Sequence, residues 1–239
     1  MTIILYNLNN LHYCILHKMK TETQLINSNS CLVSPAIPEN ALPKFSPIKL
    51  GILASGNGSN FEAIAEAISN QKLNAKIQVM IYNNPGAKVT SRAEKWNVPS
   101  VLLNHRKYKN REEFDSQIVK TLQEYNVEWV IMAGWMRIVT KILIDAFPNQ
   151  IINIHPSLLP SFKGIEAVEQ ALNAGVKITG CTVHLVDVEV DNGPILMQAA
   201  VPILLDDTPE TLHQKIQVQE HKIIVGAITL AASKKIGFK

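Results

Sequence analysis

Ile48-Lys49-Leu50-Gly51-Ile52-Leu53-Ala54 runs directly into Ser55-Gly56-Asn57-Gly58-Ser59-Asn60, after which Phe61, Ile64, Ala65 and Ile68 recur at helical spacing. A short, nearly unbroken apolar run is the mark of a strand buried on both faces. The polar, glycine-bearing hexapeptide is a turn, and the periodic stretch that follows predicts an amphipathic helix to about Gln71. Strand, turn and helix in that order open a βαβ unit, and everything downstream can be read against it.

Moving outward, strands are predicted at Ile77–Tyr82, Val98–Leu103, Val127–Ala133 and Ile151–His155. Helices are predicted at Ala87–Trp96 and Arg111–Tyr125, the latter with an apolar stripe of Phe114, Ile118 and Leu122. Alternation of this kind implies a parallel sheet with right-handed crossovers. The end of the chain breaks the rhythm. Ile178–Val186 and Ile195–Pro202 follow one another closely across an acidic turn, so they should pair antiparallel at one side. Thr208–Ser233 reads as a closing helix, with Asp207/Thr208 as N-cap and Pro209 in its first turn. The fold class is therefore α/β: a doubly wound, mostly parallel, Rossmann-like sheet with an antiparallel strand excursion near the C-terminal end.

Residues 1–47 differ in character. They are rich in Asn, Ser, Leu and Ile, hold no glycine, and end in Pro35, Pro38, Pro43 and Pro47. They are expected to form a mostly disordered extension and linker ahead of one domain at 48–239. The opening lacks a positive charge before its apolar part and a cleavage site, which disfavours a secretory signal. Initiation at Met19 is one expectation. A cytoplasmic location is the main reading, with an organelle address in the extension as the alternative.

The bulk numbers narrow the function classes. Hydrophobic residues at 46%, charged residues at 18% and a formal charge of +3 describe an ordinary globular chain. That charge is too small and dispersed to suggest a nucleic-acid partner, and no apolar run is long enough to suggest a membrane one. Cys14, Cys31 and Cys181 form no C-x-x-C pair, so neither a disulfide framework nor a structural zinc site is expected.

Four motifs can carry chemistry. The turn at 55–60 precedes a helix N-terminus, whose free N–H groups suit an anion. It lacks the third glycine of G-x-G-x-x-G and the G-K-[ST] of a P-loop, so it fits a single phosphate monoester, or else serves chain reversal alone. Asn153 and His155 stand two apart at a strand end and face one side; Pro156 stops the strand there. An amide donor beside an imidazole can hold an oxyanion and manage a proton, although a polar strand end is the plainer reading. Asp191, in Val-Asp-Asn-Gly-Pro, lies on a tight turn with Asp187 and Glu189 nearby. It is a solvated acidic edge unless the strand pair folds over His155, where a carboxylate favours the charged imidazole. Arg137 follows a strand end. His184 reads as a core or supporting histidine. His213, Glu220 and His221 lie on the last helix without i, i+4 spacing, so no metal is expected.

Taken together, SGNGSN at 55–60, AGWMRI at 133–138, NIHPSLLP at 153–160 and DNGPI at 191–195 resemble the phosphoribosylglycinamide formyltransferase family of the folate-dependent formyltransferases. The resemblance covers about residues 48–233. It implies Asn153, His155 and Asp191 as the catalytic three, and Gly58, Ser59 and Asn60 as the loop for a ribose 5-phosphate. Glu220 becomes a carboxylate meeting the glycinamide amine. Arg111 and the segment Met136, Arg137, Ile138 and Val139, together with Asn153, become contacts to 10-formyltetrahydrofolate, the expected co-substrate. It further implies small-molecule partners and a monomer or weak homodimer. The chain departs at Asn192, where the family often has glycine, and at Trp135, commonly phenylalanine. A formyltetrahydrofolate hydrolase and a non-catalytic folate- or nucleotide-binding regulator are the rival readings. A methionyl-tRNA formyltransferase is a third, expected to need a further RNA-binding domain.

Overall fold

The computed structural model describes residues 32–36 and 46–233. The expectations of a disordered extension, of initiation at Met19 and of an organelle address fall on residues 1–47, most of which lie outside the described residues. Within that stretch, Val33–Ser34 (β1) forms a short strand.

One mixed sheet organises the described part of Val33–Lys239. Its strands are β1, β2 (Ile48–Ala54), β3 (Ala75–Tyr82), β4 (Ser100–Leu102), β5 (Trp129–Met132), β6 (Ile151–His155), β7 (Ile178–Leu185) and β8 (Ile195–Pro202), in the order β1-β8-β7-β6-β5-β2-β3-β4. β6, β5, β2, β3 and β4 run parallel. β7 is antiparallel to β6, β8 to β7, and β1 to β8. The doubly wound, mostly parallel reading and its antiparallel excursion both describe this sheet. The chain passes from β2 out to β3 and β4, then returns across to β5. The β2/β5 boundary is therefore the topological switch point, where open α/β sheets bind ligands beyond the strands' C-terminal ends.

The helices are α1 (Ser59–Ser69), α2 (Val89–Lys95), α3 (Arg111–Glu124), α4 (Lys141–Ala146), α5 (Ala167–Asn173) and α6 (Pro209–Ala232). On one face, Phe114, Ile118 and Leu122 of α3 pack with Leu53, Val79, Ile81, Val130 and Met132 of the sheet. Each such side chain contributes about 1.5–3 kcal/mol relative to leaving it in water. Gly51 makes that approach possible, because a Cβ there would stand 2.5 Å from Leu122 Cδ2. The long α6 covers the other side, burying Leu212, Ile216, Ile223, Ile224 and Ile228, and α1 packs beside it. Thr208 and Thr211 close a capping box at its start.

Two helices escape the sequence reading. α4 buries Leu143 alone, and α5 buries Ala167, Val168 and Ala171. At six and seven residues, neither is long enough to display a 3.6-residue period. β5 is shorter than predicted because Val127 is still occupied upstream: its N–H closes the end of α3 on Leu122 O at 3.0 Å. No helix among the described residues is long and apolar enough to cross a membrane.

Candidate active site

Three segments meet where β6 ends. β6 delivers Asn153 and His155, while the β7–β8 connection brings Asp191 over them. The loop between β6 and α5 closes the side. A cavity of about 330 Å³ opens there, lined by Met136–Val139, Asn153, His155, His184 and Asp191. Its apolar wall includes the exposed side chains of Met136 and Ile138.

His155 is buried, with an acceptor at each ring nitrogen. Nε2 lies 2.8 Å from the Phe162 carbonyl oxygen, and Nδ1 lies 3.3 Å from Asp191 Oδ2. A carbonyl can only accept, so Nε2 carries a hydrogen and donates. Nδ1 is then the nitrogen whose proton is in play, and it faces the carboxylate. Asp191 is held in turn. The Gly164 N–H donates to Oδ2 at 2.9 Å, and His184 Nε2 stands 3.6 Å from Oδ1. Burial works to raise the Asp191 pKa, but His184, the Gly164 amide and the nearby His155 outweigh it and hold the carboxyl below its ordinary value.

Asn153 points its amide into the same space. Nδ2 lies 3.2 Å from His184 Nε2 and 3.5 Å from Asp191 Oδ1. The second contact is at the limit of a hydrogen bond, so that N–H is free to turn to a ligand oxygen. His184 donates from Nδ1 to the Leu185 carbonyl at 2.7 Å, which fixes the ring so that Nε2 faces both Asn153 Nδ2 and Asp191 Oδ1.

Backbone strain collects around these groups. Phe162, Glu166 and Asp191 all have positive φ, at 55°, 57° and 50°. Left-handed backbone at a non-glycine residue costs on the order of 1 kcal/mol. Here it aims the Phe162 carbonyl and the Gly164 amide inward. A buried chain of hydrogen bonds secures that loop. Gln198 Nε2 donates to Thr182 Oγ1 and to Leu159 O, Thr182 donates to Ser157 O, and Ser157 donates to Ser161 O.

The glycine turn forms a separate corner at the end of β2. Gly58 sits at φ 75° against Val89, and a Cβ there would come within 2.4 Å of it. Ser59 and Asn60 open α1. Arg92 of α2 braces the turn, donating from Nε to Asn57 O at 2.8 Å and from Nη1 to Glu62 Oε2 at 2.9 Å. Glu220 reaches this corner from α6. Its Oε2 accepts from Asn60 Nδ2 at 3.0 Å, and burial pushes its pKa up. Asn60 Oδ1 is buried with no hydrogen-bond partner. Ser55 links the two corners: its N–H donates to Gly134 O at 3.0 Å and its Oγ accepts from the Met136 N–H at 2.8 Å.

Of the residues singled out in the sequence, Asn153, His155, Asp191 and Met136–Val139 thus share one cavity. Gly58, Ser59, Asn60 and Glu220 share the neighbouring corner. Arg111 opens α3, exposed, and does not line the cavity. His184, read in the sequence as a core or supporting histidine, stands beside Asn153 and Asp191, and the Phe162 carbonyl is a participant that the sequence reading leaves out. A larger groove of about 620 Å³ runs between α1 and α6, with Ser59, Glu66, Arg92 and His221 on its walls. It gathers no comparable set of convergent groups.

Comparison with known proteins follows the same outline. A family model described as formyl transferase matches residues 48–228. A phosphoribosylglycinamide formyltransferase of Bacillus subtilis (strain 168) is 45% identical over 174 residues, covering 73% of this chain and 89% of that protein. The human trifunctional purine biosynthetic protein adenosine-3 is 43% identical over 185 residues, 77% of this chain; the match spans only 18% of that much longer protein. Among solved structures, glycinamide ribonucleotide transformylase 1 from Symbiobacterium toebii superposes with a TM-score of 0.80 at 42% identity. That match covers 81% of this chain and 91% of the other.

Proposed function

The chain belongs to the formyl transferase family, and on that premise we propose that it transfers a formyl group from 10-formyltetrahydrofolate to the amine of 5'-phosphoribosylglycinamide. The products are formylglycinamide ribonucleotide and tetrahydrofolate, a step of purine synthesis. The carrying observation is the convergence of Asn153, His155 Nδ1 and Asp191 in one cavity with an apolar wall.

In this reading the folate lies against Met136, Arg137, Ile138 and Val139, with Arg111 meeting its more distant part. The ribonucleotide phosphate rests on Gly58, Ser59 and Asn60, and Glu220, bonded to Asn60, contacts the glycinamide amine. The amine nitrogen attacks the formyl carbon and a C–N bond forms while the carbonyl π pair moves onto oxygen. The Asn153 N–H and a proton on His155 Nδ1 stabilise that oxygen. One well-placed donor of this kind is worth about 3 kcal/mol. Asp191 faces Nδ1 as counter-charge and helps pass the amine's proton to the folate nitrogen that leaves. Collapse of the tetrahedral species breaks the bond from the formyl carbon to that nitrogen. No metal enters the proposed chemistry.

The test is consumption of 10-formyltetrahydrofolate by purified protein, with and without the ribonucleotide. Turnover that requires the ribonucleotide supports transfer. Turnover in its absence identifies a hydrolase instead, and binding without turnover a regulator.

A further inference from the structure

Ala133–Val139, between β5 and α4, supplies the apolar wall of the cavity and is pinned at both ends. In front, Ser55 holds Gly134 and Met136. Behind, Oδ2 of Asp115 accepts the N–H of Thr140 at 2.5 Å. Asp115 belongs to α3 and is 2% exposed. Burial pushes its pKa up, against the hydrogen bonds from Thr140. A carboxylate removed from water in this way is costly unless hydrogen bonds compensate it, and here the compensating donor is the Thr140 N–H. The group it fixes is well defined, because Thr140 is the N-cap of α4 and its own side chain makes no capping bond.

We propose that Asp115 is a positioning residue for the folate site: through Thr140 it sets where Met136–Val139 stand, and it ties that wall to the helix that begins with Arg111. The inference rests on the folate reading given above. Ser55 and Asp115 act as two clamps on one short segment, and releasing Asp115 frees the Thr140 end of the wall while the bonds from Ser55 remain. The Asn60–Glu220 hydrogen bond does not involve Asp115, so the proposal places the effect of Asp115 on the folate side.

The experiment compares wild type with Asp115→Ala and Asp115→Asn. It measures kcat, KM for 10-formyltetrahydrofolate, KM for the ribonucleotide, and backbone amide exchange across residues 136–140. Losing one buried acceptor should raise the folate KM about ten-fold in Asp115→Ala, leave the ribonucleotide KM within about two-fold, and speed exchange across 136–140. Asp115→Asn keeps an acceptor oxygen in place and should restore both readouts to near wild type. If Asp115→Ala does not fold, Asp115→Glu shifts the acceptor by one methylene and carries the same comparison. A fall in Tm with both KM values unmoved overturns the proposal, as does an equal rise in both. So does exchange across 136–140 that no variant alters. Wild-type protein that fails to formylate the ribonucleotide overturns the functional reading instead, and the exchange comparison still decides what Asp115 holds.

Discussion

His155 meets an acceptor at each ring nitrogen, and this asymmetry divides the labour of the site. The Phe162 carbonyl claims Nε2, which leaves Nδ1 as the ring nitrogen that the proposed mechanism uses, and Asp191 faces that atom. Because the folded pKa of Asp191 lies below its ordinary value, its stabilising contribution is complete above about pH 4 and is lost as pH falls through the folded value. Across neutral pH the carboxylate stays charged. Asp191→Asn should therefore lower kcat by about 10²–10³-fold and move the kcat–pH profile, measured by steady-state kinetics between pH 5 and 9. A profile of unchanged shape would separate Asp191 from His155. Asn153→Ala removes one donor to the developing oxyanion and should cost about 10²-fold in kcat with the ribonucleotide KM little changed. Asn153 and His155 are legible in the sequence because a strand's period of two and the proline after it mark both. The Phe162 carbonyl is not, since a backbone oxygen has no residue-type signal. For His184 the sequence leaves core and supporting roles open, and it is the register opposite Asn153 that decides for the second.

At the scale of elements, the corner at the glycine turn depends on how α2 is fastened to α1. Glu62 is the fastening point, bound by Arg92, Lys95 and Trp96. Burial works against the charge, but those three donors and the Lys95 charge hold its pKa down at about 2, against 4.5. The stability it contributes is full above pH 4.5 and drains away as pH falls towards about 2. Lys95 is largely exposed, so screening limits the contribution to about 1 kcal/mol at most. Glu62→Gln should lower Tm at pH 7 and flatten the fall in Tm between pH 4.5 and 2, as followed by thermal unfolding. A Tm–pH curve parallel to wild type would contradict the assignment. The alternation of apolar runs and helical stripes made most elements legible, from β2 through α6. The short helices α4 and α5 were not, because their positions are fixed by packing and by the left-handed turn at Glu166 rather than by periodicity.

For the molecule as a whole, the site exists because two halves of one sheet meet at β6. The parallel half carries Asn153 and His155 to its C-terminal edge, and the antiparallel half folds the β7–β8 connection back so that Asp191 arrives opposite them. The sequence showed that the late strands pair with one another. It did not show that β7 lies directly beside β6, which is a matter of register between segments distant in the chain. The account requires these halves to act as one catalytic unit. A double-mutant cycle on kcat/KM with His155→Ala, Asp191→Asn and the combined variant tests this most directly. Residues acting as a unit give strongly non-additive losses, so the double variant should be no slower than the worse single variant by more than about three-fold. Losses that multiply in full, each substitution acting regardless of the other, would contradict it.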